Sequence, residues 1–171
     1  MLRWFGVTKG DEVILPAYTY SATANVVMHC GAKPGFVDVG DDFNINPAEV
    51  LKAINKNTKV IMPVDFGGWA CDYDALIAAA REKKSLFKPR TVEQSTLGRI
   101  LVLSDAAHSL GARYKGRKTG MLADISVFSF HAVKNLTTAE GGAVALHLPA
   151  PFDNEALYKM LCVRILHGQD K

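Results

Sequence analysis

The chain has 171 residues, 49% of them apolar and 22% charged, and its 20 Lys plus Arg against 17 Asp plus Glu leave a net charge of only +3. This is the balance of a soluble, globular chain long enough for a sizeable core, forming one domain or part of one, with a mild basic excess that argues neither for nor against an anionic substrate. Cys30, Cys71 and Cys162 are odd in number and lack any Cys-x-x-Cys spacing, which argues against a disulfide framework or a zinc site and fits the reduced thiols of a cytoplasmic protein.

No apolar run approaches the roughly 20 residues that a membrane span needs, and the opening Met-Leu-Arg-Trp-Phe-Gly lacks the apolar centre of a signal peptide. Residues 12–15, ahead of Pro16, read as a first strand. Residues 22–30 have helical character and stop at Gly31, a natural left-handed terminator. A strand over 33–39 and an Asp-rich loop over 38–46 follow. Pro47 then opens a helix at the position where a missing N–H costs nothing. Val50, Leu51 and Ile54 give that helix an apolar stripe.

Residues 59–64 read as a buried strand and 65–71 as a loop. Asp72 is a candidate N-cap for a helix through Arg81. The polar, mixed stretch 84–98 reads as an exposed excursion. Its basic residues Arg81, Lys83, Lys84, Lys88 and Arg90 lack the aromatic interleaving of a nucleic-acid surface, and no helix-turn-helix signature is present. A strand over 99–103 closes on Ser104-Asp105. The closing helix over 154–167 sets Leu157, Met160, Leu161 and Ile165 on one side. Strands separated by helical patterns predict an α/β fold with a mostly parallel sheet covered by helices on both faces.

The chemistry concentrates in residues 126–144. An apolar β-type run over 125–130 stops at His131, Lys134 follows, and a hydroxyl- and glycine-rich turn leads to a second apolar run over 143–146. A lysine just past the carboxyl end of a buried strand stands where open α/β sheets place their ligands, and it is a candidate nucleophile toward carbonyls. Taken alone it is an ordinary surface lysine. Its neighbours Ser129, His131, Thr137, Thr138 and the Gly141-Gly142 pair crowd small donors and close-approach backbone around it. Asp105, taken alone, is a helix N-cap, and His108 a histidine in a helix's first turn.

The run Phe-Ser-Phe-His-Ala-Val-Lys-Asn-Leu-Thr-Thr-Ala-Glu-Gly-Gly resembles the cofactor-lysine segment of the DegT/DnrJ/EryC1/StrS sugar aminotransferases. So do Gly-Asp-Glu-Val-Ile-Leu-Pro-Ala-Tyr-Thr, Gly-Ala-Lys-Pro-Gly-Phe-Val-Asp-Val, Pro-Val-Asp-Phe-Gly-Gly and Asp-Ala-Ala-His-Ser-Leu-Gly-Ala, in the family's order. The resemblance implies pyridoxal 5'-phosphate as cofactor, with Lys134 as the Schiff-base lysine and Asp105 as the acid on the pyridinium nitrogen. It further implies His108 beside the ring, Ser129 on the phosphate and Tyr20 stacked on the ring face. His131 is left between orienting substrate and capping the strand, and Trp69 and Asp65 receive no role from it.

The same resemblance implies the large domain of the aspartate-aminotransferase-like fold type I, residues 1–171 forming part of that cofactor-binding domain. It places the phosphate-cupping Ser-Gly-Thr-type helix start upstream of Met1 and a C-terminal small domain beyond Lys171. The implied reaction carries an amino group from an amino acid donor such as glutamate to a nucleotide-linked keto sugar, in a homodimer, with no nucleic acid or membrane partner. A sister branch that deoxygenates sugars has histidine where Lys134 stands, so the lysine points to transamination. The alternative is a non-catalytic truncated fragment or pseudo-enzyme of the same fold.

Overall fold

A computed structural model describes residues 1–166 and 168. Six strands form one sheet: β1 (Glu12–Pro16), β2 (Lys33–Val37), β3 (Thr58–Ile61), β4 (Leu101–Asp105), β7 (Ile125–Ser129) and β8 (Gly142–Leu146), with β5 (Arg113–Tyr114) and β6 (Arg117–Lys118) making a separate two-residue ribbon. The sheet order is β2-β1-β3-β4-β7-β8. The first five strands run parallel and β8 antiparallel against β7. The carboxyl ends of all five parallel strands therefore open on one rim.

Chain direction across the sheet reverses at β1, where β2 lies on one side and β3 on the other, and such switch points are where ligands enter open α/β sheets. Helices α1 (Ser21–Met28), α2 (Pro47–Ala53), α3 (Tyr73–Glu82), α4 (Val92–Leu97) and α5 (Asn154–Ile165) complete the chain. Val13, Ile14 and Leu15 of β1, Val60 and Ile61 of β3 and Leu101 and Val102 of β4 are all fully buried. Successive strand side chains point to opposite faces, so both faces of the central strands are covered. Each such aliphatic side chain contributes about 1.5–3 kcal/mol by leaving water.

The local signals act as expected at several ends. Asn46 caps α2 by accepting from Ala48 N, with Pro47 in its first turn, and Asp72 caps α3 by accepting from Ala75 N at 3.0 Å. Gly31 takes φ +74° past α1. Elsewhere the boundaries move. The fourth strand begins at Leu101 and carries Asp105 as its last residue.

The stretch 84–98 is exposed over most of its length, as expected, but is anchored to the core at two points. Thr91 caps α4, Gly98 stops it in the left-handed region, and Phe87 and Gln94 are buried. Gln94 enters the core because both ends of its amide are satisfied, Nε2 donating to Phe5 O at 2.9 Å and Oε1 accepting from Arg90 N at 2.9 Å, which its polarity alone conceals. On α5, Leu157 is buried and Met160 and Leu161 pack against the core, but Ile165 is exposed. His167, included in the expected helix, lies outside the described residues.

Strands β4 and β7 are pinned at their amino ends by a buried ion pair. Arg99 donates to both carboxylate oxygens of Asp124 at 2.8 and 2.7 Å, and Asp124 Oδ2 also accepts from Val102 N at 2.9 Å. Removing one partner strands the other charge in the core, so Asp124→Ala is expected to lower the unfolding free energy by about 3–5 kcal/mol. In urea unfolding, the double change Arg99→Leu with Asp124→Leu should cost less than the single one. A larger cost for the double would refute the buried-charge explanation.

Candidate active site

Asp105 and Ser129 end adjacent parallel strands. The register pairs Asp105 with Val127, and Ala106 N donates to Val127 O at 2.9 Å, so the two side chains emerge on the same rim. Asp105 is held at both oxygens. Oδ2 accepts from Thr23 Oγ1 at 3.0 Å and Oδ1 from Ala107 N at 3.3 Å. Thr23 is buried on α1, after β1, and its hydroxyl also meets that of Thr19 at 2.9 Å. The acid is thus tied to the element that follows the switch-point strand.

No helix follows Asp105. Residues 106–112 form consecutive turns, with Ser109 N donating to Ala106 O and Ala112 N to Ser109 O, so the carboxylate is not a helix cap and His108 is not in a helix's first turn. This turn carries His108 outward to meet the lysine: Lys134 Nζ lies 2.9 Å from His108 Nε2.

The lysine loop owes its form to its own backbone and hydroxyls. Phe130 N donates to Gly141 O, Thr138 N and Thr137 Oγ1 both donate to Phe130 O, and Ala139 N donates to Thr137 Oγ1. A Cβ on Gly141, at φ +157°, would come within 2.4 Å of Thr138 Oγ1, so glycine there is a packing requirement. Asn135 Nδ2 donates to Leu110 O at 3.0 Å. That bond fastens the lysine loop to the turn bearing Asp105 and His108. Ser129 Oγ accepts from His131 N at 3.3 Å, while the His131 ring faces Glu140 at 3.7 Å.

Tyr20 stands at the start of α1, its ring 81% exposed. The structure therefore brings Lys134, His108 and Asp105 together on one turn and loop, with Ser129 on the neighbouring strand end. Tyr20 is linked to them through Thr23, whose backbone N–H donates to Tyr20 O at 3.1 Å.

Sequence reasoning did not single out Thr23 or Asn135, and it gave Asp65 no role. Asp65 is buried, its Oδ2 accepting from Ser109 Oγ at 2.6 Å and its Oδ1 from Tyr73 OH at 2.7 Å and Cys71 N at 3.0 Å. Burial pushes its carboxyl up, and raises the neighbouring Tyr73 hydroxyl and Cys71 thiol as well. The Thr19-x-x-x-Thr23 spacing and the Asn beside Lys134 were the signals available for the first two. Among the described residues, no group of three or more His, Cys, Asp or Glu could hold a metal ion, and no helix is long and apolar enough to cross a membrane.

A mixed sheet of this order, with an amine and an anchored carboxylate at its carboxyl rim, has the large-domain fold of the pyridoxal-phosphate-dependent transferases of fold type I. The chain belongs to the DegT/DnrJ/EryC1/StrS aminotransferase family, which matches residues 1–171. It is 40% identical over 171 residues to the spore coat polysaccharide biosynthesis protein SpsC of Bacillus subtilis, covering 99% of this chain and 39% of that protein. It is 39% identical over 165 residues to the GDP-perosamine synthase of Caulobacter vibrioides, covering 96% of this chain and 38% of that one.

Among solved structures it resembles a protein of Streptococcus pneumoniae described as a sugar aminotransferase. In the PLP form of that protein the TM-score is 0.94 at 44% identity, over 98% of this chain and 43% of that one. The chain thus spans about two fifths of the length of the relatives it matches.

Asp65 supplies a pH signature. Its carboxyl is raised above the ordinary value of 3.8, desolvation outweighing the hydrogen bonds from Ser109, Tyr73 and Cys71. A carboxyl raised on folding contributes stability that is present below the unfolded value and lost as the pH climbs through the folded one. Urea unfolding at stepped pH should therefore show wild type losing stability relative to Asp65→Asn as the pH rises above 3.8. A difference between the two that is independent of pH would contradict this.

Proposed function

We propose that this chain is part of the large, cofactor-binding domain of a pyridoxal-phosphate-dependent sugar aminotransferase. The observation that carries the reading is the approach of Lys134 Nζ to His108 Nε2, 2.9 Å, on the turn that begins at the doubly anchored Asp105. The donor set fits the cofactor. There is a half-buried amine for its carbonyl carbon, a fixed carboxylate for its ring nitrogen, a hydroxyl at Ser129 for its phosphate and an open aromatic face at Tyr20 for its ring. When bound, pyridoxal phosphate supplies an electron sink that lets a C–H bond beside the amino nitrogen ionise.

The chain's own residues then divide the work. Lys134 would hold the cofactor through its carbonyl carbon, and its free amine would serve as the general acid–base for the proton at the donor's α-carbon. Asp105, anchored by Thr23 and Ala107 N, holds the proton on the ring nitrogen through a charge-assisted bond. His108 keeps the lysine amine in place and borders the ring. Ser129 donates to a phosphate oxygen. Tyr20 covers one ring face.

In this reading the donor is an amino acid such as glutamate and the acceptor a nucleotide-linked keto sugar, made for cell-surface polysaccharide or related amino sugars in the cytoplasm. The polysaccharide and perosamine names of the relatives favour that substrate class, and the working form is a homodimer. The second reading is a non-catalytic fragment or pseudo-enzyme of the same fold.

Absorption spectroscopy separates the two. Mixing the purified chain with pyridoxal phosphate should give a visible band that Lys134→Ala abolishes and Lys33→Ala leaves intact. A chain that gives no such band is the fragment of the second reading.

A further inference from the structure

Asp65 occupies a place in the fold that no ligand contact explains. It follows β3, one strand over from Asp105, and is 1% exposed. The parallel bridge between Val64 and Asp105 joins the two stretches of backbone: Asp105 N donates to Pro63 O at 2.8 Å and Asp65 N to Asp105 O at 3.1 Å. The carboxylate then reaches past Asp105 to the same turn, where Ser109 Oγ donates to it at 2.6 Å.

Its other oxygen gathers Tyr73 OH and Cys71 N, and Tyr73 OH meets Ser104 Oγ, on β4 itself, at 2.5 Å. Gly68, three residues on, seats the loop against the same turn; a Cβ there, at φ +87°, would lie 2.9 Å from His108 O. Both ends of the Asp105–Ser109 turn are therefore fixed from the β3 side, and Gly68 packs against the carbonyl of His108 between them.

A buried carboxylate is costly unless its acceptors are filled. Here three donors fill them, and one of the three is the side chain that ends the turn. An arrangement of this kind resists displacement of the turn, because moving Ser109 away leaves a buried carboxylate oxygen without a partner.

We propose that Asp65 is a positioning residue, which through Ser109 sets the turn that presents Asp105 and holds His108 against Lys134. It touches neither the amine nor the place of a ring nitrogen, and acts only through these residues. The proposal rests on the reading of Lys134 and Asp105 as one site, but its test uses no cofactor.

The test is site-resolved acetylation of the full chain with acetic anhydride, read by mass spectrometry as the rate at Lys134 relative to Lys33, whose side chain is 79% exposed on β2. Ser109→Ala, which removes the bond to Asp65 and with it the long 3.5 Å contact of the same hydroxyl with Ala106 O, is expected to raise this ratio about threefold, the size of a weak coupling between contacting groups. His108→Ala should raise it equally, and the double variant Ser109→Ala with His108→Ala no further, because both act on one contact. Asp65→Ala should match Ser109→Ala. Asp65→Asn, which still accepts from Tyr73 and Cys71 and can donate to Ser109, should restore most of the wild-type ratio.

An unchanged ratio in Ser109→Ala, or effects that add in the double variant, would overturn the proposal. Should Asp65→Ala fail to fold, Ser109→Ala decides alone. Loss of the cofactor band in the absorption experiment would sink the aminotransferase reading while leaving this result legible.

Discussion

The pairing of β4 with β7 is the contact on which the candidate site depends. Two parallel strands in register open on one rim, so Asp105 emerges beside Val127 and Ser129 two residues further along the neighbouring strand, whatever the loops beyond them do. The Arg99–Asp124 pair clamps the amino ends of this couple and the bond from Ala106 N to Val127 O closes its carboxyl end. Asp105 and Ser129 are placed by backbone, and only the lysine has to be brought to them by a loop.

That division explains the architecture of the rim. The lysine loop ties its hydroxyls to its own backbone and docks on the turns after β4 through the contacts of Lys134 with His108 and Asn135 with Leu110 O. The acid is the opposite case, held by α1 through Thr23 and by its own turn, with the buried carboxylate of Asp65 behind that turn. The amine thus rests on a single side-chain contact with His108, while the acid is anchored at both oxygens.

Much of this was legible in the residues. The alternation of apolar strands with capped helices carried the parallel sheet, and the stop at Gly31, the helix start at Pro47 and the cap at Asp72 fall where their chemistry requires. Within the exposed segment 84–98 the anchor at Gln94 was not legible, because a buried glutamine looks polar in sequence and is silent about whether its amide will be satisfied. Candidate ligand-binding residues were recognisable from the family's motifs, since a residue that touches a ligand sits in a recurring local pattern. Thr23, Asn135 and Asp65 act on other residues across 82, 25 and 44 positions of chain, and nothing local marks such a partnership until the sheet is assembled.

The central claim is that Lys134 and Asp105 grip opposite ends of one ring. A crystal structure of the chain grown with pyridoxal phosphate measures that directly. The account requires the cofactor's carbonyl carbon bonded to Lys134 Nζ and its ring nitrogen about 2.7–2.9 Å from the Asp105 carboxylate, the length of a charge-assisted bond. A cofactor attached to a different lysine, or a ring nitrogen turned away from Asp105, would contradict it.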